Sequence, residues 1–536
     1  MSTVPLTRLR APRGQRRHGE LTHACVINVS YPTPANGRGD VRVPEMKVGA
    51  ATLPLLVALV RRLRPSCRIR MWDEIGTPTD FDHIDGLPRA TTLMLISVRT
   101  NLAHEARSLG DRLMRMGFAV VMGGPHVSAC QDEVATYANA AVHGEAETHL
   151  GKVIEAFEAG AFDATTVPGL KFKSSADCDL EQSPMPERWL YRHSRGYMNP
   201  GVLEFGRGCQ FRCSFCASTN LYTSTLRFKA VHQVLAEIAT LPEYPGGFRA
   251  WFFGDDNFAS SHARAREVAR AIGRHYPRAR WGSAMTIASA NDDALLDDLA
   301  AGGMRYVFIG FDSIVQESLA AADKNLARAR SFTPLVAKLK RRGIFIVAAI
   351  VFGFDTDGPD VFRRTLGWAL ESGVDVVNLN VLRPYPSSPL YPQLRDEGRL
   401  FHDPWWLQPF PTRLAMVHGL TANVSGVMTT FRPRQMSARA LAEGTLWVGQ
   451  EFYRLRNTIP RLLSNMTSVP TLIVDSLTDY FYAREYRSFT RVTPPLKEVR
   501  QADVRGHRPE GNPEPRQPHA TAVAPDGVRV RTRAVP

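Results

Sequence analysis

What this chain lacks narrows it first. Its 536 residues contain seven cysteines, and four of them (Cys25, Cys67, Cys130 and Cys178) stand alone. Singly scattered thiols argue against a disulfide framework and for a reducing, cytoplasmic setting. No apolar run approaches the ~20 residues that a membrane-spanning helix requires. The longest candidate, Ala50 to Val60, is short and ends in Arg61-Arg62. The N-terminus carries Arg8, Arg10, Arg13, Arg16 and Arg17 with no apolar stretch behind them, which is not the pattern of a secretory signal. The net charge is +14, but much of the excess lies at the two ends: the first twenty residues are Arg-rich and the last forty contain seven Arg among scattered Pro. Tails of that composition are solvated and disordered, so no nucleic-acid partner is expected.

The remaining three cysteines are grouped. Cys209, Cys213 and Cys216 sit in Gly206-Arg-Gly-Cys-Gln-Phe-Arg-Cys-Ser-Phe-Cys with the spacing C-x3-C-x2-C, and no fourth cysteine stands nearby. Structural zinc wants a closed set of four ligands. Ala217 to Asn220 offer no further thiol or imidazole, so a zinc knot here would need a distant His. An iron–sulfur cluster with one open iron needs three thiolates and no more, which leaves the fourth metal free to chelate a small molecule.

A chain of this length exceeds one core, and its pattern divides it. After a disordered basic tail over 1–22, apolar strands alternate with helical periodicity through about residue 173. Strands are expected at Ala24 to Ser30, Ile69 to Trp72, Thr92 to Val98, Phe118 to Met122 and Ala140 to His143, with helices near 51–64 and 104–116. This order predicts a doubly wound parallel sheet, in which ligands sit beyond the carboxyl ends of the strands. Ser97, Thr100, Gly123, Gly124, His126, Gly144 and Glu145 fall there. Residues 174–200 read as a linker. A second series, 201–385, gives six strands near 202–205, 249–254, 280–287, 306–310, 344–352 and 374–382, with helices between them. Six such units make a partial (β/α)6 TIM-type barrel, whose chemistry belongs at the strand carboxyl ends. Residues 386–485 read as a mostly helical extension, including a helix capped by Ser437. Residues 486–536 read as a disordered Pro/Arg-rich tail.

The cysteine motif, with Phe215 before its last cysteine, resembles the radical S-adenosylmethionine superfamily. Other strand ends agree in order. Phe253-Gly-Asp-Asp-Asn-Phe258 resembles the D-D-N run of cobalamin-dependent members, and Ile309-Gly-Phe-Asp-Ser313 resembles G-x-E-S with Asp312 replacing Glu. Ile350-Val-Phe-Gly-Phe-Asp355 resembles the G-F-D element, and Pro384-Tyr-Pro-Ser-Ser-Pro-Leu-Tyr391 stands where relatives read P-G-T-P-L-Y. Gly123-Gly-Pro-His-Val-Ser and His143-Gly-Glu-Ala-Glu resemble the cobalamin-binding domain that precedes the barrel in one large subfamily. The resemblance implies that Cys209, Cys213 and Cys216 hold a 4Fe-4S cluster whose open iron chelates S-adenosylmethionine. It further implies that Asp255, Asp256, Asn257, Asp312, Ser313 and Gly353 line the S-adenosylmethionine site. On the same footing, the strand ends of the first sheet would hold cobalamin, and His126 would be a turn or tail contact.

One departure matters. The D-x-H-x-x-G motif that supplies a lower histidine to cobalt is absent; Asp82-His83-Ile-Asp-Gly86 has its Asp adjacent to the His. Cobalt without a protein imidazole fits this subfamily, as does a domain that has lost cobalamin. The expected activity is methyl transfer to an unactivated carbon of a lipid or secondary metabolite, with a flavodoxin or ferredoxin as electron donor. Radical cyclisation or rearrangement without methyl transfer, a methylthiotransferase, and a non-catalytic corrinoid or iron–sulfur binding protein are the alternatives.

Overall fold

Alternate residues of the first apolar run face two different apolar cores, which is what a strand buried on both sides requires. In the computed structural model this run is β1 (His23–Asn28). Cys25 and Ile27 pack into one core, Ala24 and Val26 into the other. The structure describes residues 19–30, 51–74, 78–173, 177–191, 201–221, 225–324, 329–409 and 429–464. The expected disordered tail at 486–536, nearly all of that at 1–22 and part of the 174–200 linker lie outside the described residues.

Five further strands complete a parallel sheet: β2 (Arg68–Asp73), β3 (Thr92–Ser97), β4 (Ala119–Gly123), β5 (Ala140–Val142) and β6 (Leu170–Phe172). Their order is β2-β1-β3-β4-β5-β6, so the winding reverses between β1 and β3. The connections carry α1 (Thr52–Leu63), α2 (Phe81–Asp85), α3 (Ala103–Arg115), α4 (Pro125–Ala129), α5 (Gln131–Val134) and α6 (Ala146–Glu158). Leu53 and Val57 of α1 share a core with Val153 and Ile154 of α6, while Leu109 and Leu113 of α3 belong to the other. Helices therefore cover both faces, as the sequence leads one to expect. The short β6 is not foreseen in the sequence, because Leu-Lys-Phe is too brief to show a period.

The second sheet consists of β7 (Val202–Leu203), β10 (Ala250–Phe253), β11 (Arg280–Thr286), β12 (Met304–Asp312), β13 (Phe345–Phe352) and β14 (Val376–Val381). A small antiparallel hairpin, β8 (Gly206–Arg207) with β9 (Arg227–Phe228), lies between β7 and β10 in the chain. The six parallel strands run β14-β13-β12-β11-β10-β7 without reversal. Helices α7 (Val231–Ala239), α8 (His262–His275), α9 (Asp293–Ala301), α10 (Gln316–Ala321), α11 (Phe332–Arg341) and α12 (Val361–Ser372) fall in the connections. Strictly sequential parallel strands with intervening helices form the wall of an open (β/α)6 barrel.

Beyond β14 come α13 (Leu390–Asp396), α14 (Ala438–Phe452) and α15 (Leu455–Ser464). Ser437 caps α14 by accepting from Ala440 N at 3.1 Å. This helix packs on α12 and on β14, the terminal strand of the sheet. Approach to α12 is close: a Cβ on Gly444 would lie 2.3 Å from the Phe362 ring. Just past the helix, the buried Tyr453 hydroxyl accepts from Val377 N and donates to Val377 O on β14, both at 3.2 Å. One face of the first sheet shares its apolar core with the second sheet. Among the described residues no helix is long and apolar enough to cross a membrane.

Candidate active site

The cysteine loop leaves the barrel at β7, and its two ends are tied together before any chemistry is considered. Gly206 and Arg207 pair antiparallel with Phe228 and Arg227. A side chain at 206 would meet the Phe228 ring at 2.7 Å and Arg227 O at 2.9 Å, so only glycine permits this pairing. Gly208 holds φ at +97°, a conformation that L-residues rarely adopt, and turns the chain into the loop. Asp255, at the end of β10, accepts from Phe205 N at 2.9 Å and Gly206 N at 3.1 Å. Burial pushes its carboxyl well above the usual range, with Glu204 adding to the rise and the two backbone N–H groups opposing it. Its oxygens are thus committed to the strand that carries the loop, and the expected contact to S-adenosylmethionine does not fall to Asp255.

Within the loop, Cys216 N donates to Cys213 O at 3.1 Å, making a tight turn of the last two ligands. Ser214 is held from both sides: its N donates to Ala322 O at 3.2 Å and its O accepts from Leu390 N at 3.0 Å. Ser387 donates to Ala217 O at 2.8 Å, and the Phe215 ring meets Phe354 edge-on at 5.6 Å. The aromatic before the last cysteine therefore anchors the loop to the end of β13. Burial raises the pKa of all three thiols, Cys213 to about 12, with nearby Asp312 and the other two thiols adding to the rise and Lys324 opposing it.

The donor set fits a multi-iron cluster better than a single metal. A zinc tetrahedron with bonds of about 2.3 Å keeps its sulfurs about 3.8 Å apart. Among the described residues, His126, Cys130 and Glu133 are the one trio of His, Cys, Asp or Glu whose ligand atoms all lie within 4.8 Å of one another. The three loop thiols do not form such a trio, so at least one pair of their sulfurs lies further apart than 4.8 Å. The buried Asn257 turns its amide toward the Cys209 thiol, and apart from that sulfur neither Nδ2 nor Oδ1 has a hydrogen-bond partner. Orphaned amide atoms of this kind demand a polar guest, and S-adenosylmethionine supplies both donors and acceptors.

The other strand ends divide. Asp256 is exposed and accepts from Ser218 Oγ at 2.9 Å, linking β10 to the exit of the loop. Asp312 ends β12 at φ +59° and forms an ion pair with Lys324, whose ammonium also reaches Gly310 O. Lys324 escapes a reading of the sequence because it follows α10, a short helix with no legible pattern, and a lysine in that place reads as surface. Ser313 accepts from Val315 N at 3.0 Å and is buried, so it acts as a turn cap. Gly353 has φ +106° and its N, with that of Phe354, donates to the buried Asp357 at 2.8 and 3.0 Å. Asp355 points to the C-terminal segment and pairs with Arg399 and Arg434.

A cavity of about 190 Å³ opens at the carboxyl ends of the first sheet. Ser97, Gly123, Gly124, Gly144 and Glu145 line it, with apolar walls from Leu56, Leu95, Val121, Val142 and Leu150. Its far side belongs to the barrel: Glu204, Arg207, Leu221 and Lys229. Gly144 has φ +85°, and a Cβ added there would meet nothing within 4 Å, which leaves its backbone open to a guest. Thr100 and His126 are not among the lining residues. His126 is fully buried on another side, 3.3 Å from a Glu133 carboxylate that also accepts from Tyr137 (2.9 Å) and Trp406 (2.8 Å). The expected tail contact by His126 is corrected accordingly: it belongs to a hydrogen-bonded core contact with the segment around Trp406.

Glu145 also differs from expectation. One oxygen accepts from Arg207 at 2.7 Å; the other accepts from Arg227 at 2.6 Å and Cys178 N at 2.8 Å. Those two arginines, with the Cys178 N–H, outweigh its burial and hold its pKa down at about 2. The carboxylate is committed to the barrel's arginines, while its backbone lines the cavity. Opposite charges in Gly144-Glu-Ala-Glu and Gly206-Arg-Gly are visible in the sequence, but nothing there shows that they meet.

Fold and loop together define a class: α/β proteins in which a three-cysteine loop follows the first strand of an open parallel barrel. Residues 203–381 match the model of the Radical SAM superfamily, the enzyme class that works with a 4Fe-4S cluster and S-adenosylmethionine. The chain is 23% identical over 363 residues to the bacteriochlorophyllide d C-12(1)-methyltransferase of Chlorobaculum tepidum, covering 66% of this chain and 76% of that protein. It is 26% identical over 291 residues to the hopanoid C-2 methylase of Rhodopseudomonas palustris, covering 53% and 54%. The chain thus spans about half the length of that second relative. Among solved structures, the cobalamin-dependent S-adenosylmethionine radical enzyme OxsB, with aqua-cobalamin and S-adenosylmethionine bound, shares the fold at a TM-score of 0.58 and 12% identity, covering 90% of this chain and 78% of that one. The methyltransferase TsrM from Kitasatospora setae, with cobalamin and a [4Fe-4S] cluster bound, shares it at 0.53 and 19%, covering 70% and 75%.

Proposed function

We propose that the protein is a cobalamin-dependent radical S-adenosylmethionine C-methyltransferase acting on an unactivated carbon of a lipid or secondary metabolite. The observation that carries this reading is the shared cavity: glycines at the carboxyl ends of the first sheet face Arg207 and Glu204 of the strand and hairpin that bear the cysteine loop. Methyl transfer needs two cofactors to meet one substrate, and a cavity walled by both sheets meets that need. Its volume of about 190 Å³ is below the ~300 Å³ at which pockets enclose a whole drug-sized ligand, so it suits one end of a large cofactor. The apolar walls suit an aromatic nucleotide base, and Gly123, Gly124 and Gly144 allow close backbone approach.

When bound, the two groups supply one-electron cleavage of a sulfonium and a transferable methyl. The chain's own residues do the positioning. Cys209, Cys213 and Cys216 hold the cluster, Asn257 offers both a donor and an acceptor beside it, and Asp256 presents an exposed carboxylate next to Ser218. Asp312 is the further carboxylate of the site, held by Lys324. The relatives' substrates, a bacteriochlorophyllide and a hopanoid, support a large apolar substrate here. A flavodoxin or ferredoxin is the proposed electron source.

The test is anaerobic incubation of the reconstituted protein with hydroxocobalamin, methyl-labelled S-adenosylmethionine, a chemical reductant and lipid extract of the source organism. Retained corrinoid near one per chain and label in an extracted product support the reading. Formation of 5′-deoxyadenosine with no label transferred would replace it with radical cyclisation, the activity class of the anaerobic magnesium-protoporphyrin IX monomethyl ester cyclase of Cereibacter sphaeroides, to which the chain is 24% identical over 337 residues.

A further inference from the structure

The charges between the two sheets converge on one side chain. Arg207 donates from Nη1 to Glu145 at 2.7 Å, from Nη2 to Glu147 at 2.8 Å and to Glu204 at 2.9 Å, and from Nε to Glu204 at 2.9 Å. All three nitrogens of the fork are used. Side-chain exposures of 9% for Arg207, 9% for Glu145 and 7% for Glu147 mean that salt screens these contacts far less than surface pairs.

Position makes this more than a buried ion pair. Glu145 and Glu147 stand at the start of α6, directly after Gly144 of the cavity wall. Arg207 stands two residues before Cys209, separated from it only by Gly208, where a Cβ would meet Thr225 O at 2.9 Å. Arg207 is paired across the base of the loop with Arg227, and Arg227 grips the other oxygen of the same Glu145. A planar fork with every donor engaged has one low-energy placement. The start of α6 therefore cannot shift against the loop base without breaking charged hydrogen bonds.

We propose that Arg207 is a positioning residue through which the cavity of the first sheet and the cysteine loop are coupled, so that filling one raises the affinity of the other. The proposal rests on the reading of that cavity as a corrinoid site. Coupling of this kind is reciprocal and amounts to roughly five- to 150-fold in affinity. The guest in the cavity touches the backbone at Gly144 and fixes the start of α6; Glu145 and Glu147 then hold Arg207 and the loop base in one place.

The experiment measures hydroxocobalamin affinity by absorbance titration of the full-length chain, once with its cluster reconstituted and once after iron removal by chelation. The wild-type ratio should exceed about fivefold. In Glu147→Gln, and separately in Arg207→Lys, which keeps the charge but loses the fork, the ratio should fall below about twofold. Trp406→Phe, which removes a different contact to the first sheet, should keep it. A wild-type ratio near one, or variants that retain the wild-type ratio, would overturn the coupling. No corrinoid binding in either wild-type form would instead overturn the functional reading. In that case the loop end of the device is read alone, from the midpoint potential and electron paramagnetic resonance signal of the reduced cluster. A shift in Glu147→Gln supports positioning of the loop by Arg207, and an unchanged signal overturns it.

Discussion

The two parallel sheets use the same end of their strands for different purposes. The first offers backbone: Gly123, Gly124 and Gly144 at strand ends, with side chains drawn back and apolar walls behind them. The second offers side chains: three thiols, the amide of Asn257 and carboxylates at 256 and 312, each tied to a neighbour or left as a buried orphan. Their topologies explain the division. A sheet whose order reverses between β1 and β3 opens a crevice that a guest can enter edgewise. A sheet whose order never reverses curls into a wall and aims its strand ends at a common axis. A broad cofactor suits the former, and a reaction centre assembled from several strands suits the latter.

The comparison would break most sharply at the thiols. Cys213→Ala should abolish 5′-deoxyadenosine formation and lower iron per chain, while the first sheet keeps its fold by far-ultraviolet circular dichroism. Continued 5′-deoxyadenosine formation at the wild-type rate would mean that the loop is not the reaction centre.

Next in size is the acid dependence of the contact between the sheets. Glu145 is held at about 2, against an ordinary 4.5. A depressed carboxylate contributes stability that is present above 4.5 and lost as the pH falls toward 2. Its share is on the order of 3 kcal/mol. Denaturant midpoints of wild type and Glu145→Gln should therefore lie well apart at about pH 7, draw together below about pH 4.5 and meet only near pH 2; a constant gap would refute the assignment.

Asn257→Ala sharpens the contrast between a binding group and a structural one. Removing a buried amide whose one neighbour is the Cys209 thiol should leave thermal stability nearly unchanged. It should weaken S-adenosylmethionine binding by about 1–3 kcal/mol in equilibrium dialysis. The smallest expected effect is Ser437→Ala, which should cost about 1 kcal/mol through loss of the α14 cap and lower the melting temperature without altering corrinoid retention.

Much of this is legible in the sequence, for identifiable reasons. Continuous apolar runs mark β1 and β3, because strands buried on both faces need no polar alternation. Helical periodicity places α7 and α8, and Ser437 marks the start of α14. The cysteine spacing points to the cluster loop, since three thiolates with no fourth ligand nearby leave structural zinc incomplete. What stays hidden depends on distance in space. Asp255 looks like a ligand contact, and only the fold shows its oxygens taken up by Phe205 and Gly206. His126 looks like part of the cavity because it follows Gly124 and Pro125, yet α4 turns it toward Glu133. The hairpin β8–β9 has two residues per strand and no pattern to read. Lys324 and Arg207 take their roles from partners that the sequence pattern does not bring together.

One feature at the rim of the barrel bears on how the protein behaves in a crowded solution. The open barrel ends at β14, and an unpaired strand edge is a template onto which another chain can add. The Tyr453 hydroxyl occupies both the N–H and the C=O of Val377 on that edge, and α14 lies over it. A single phenol thus stands in for a neighbouring strand at the start of β14. The segment that follows the barrel is, in this respect, a guard against self-association as much as a wall of the enzyme.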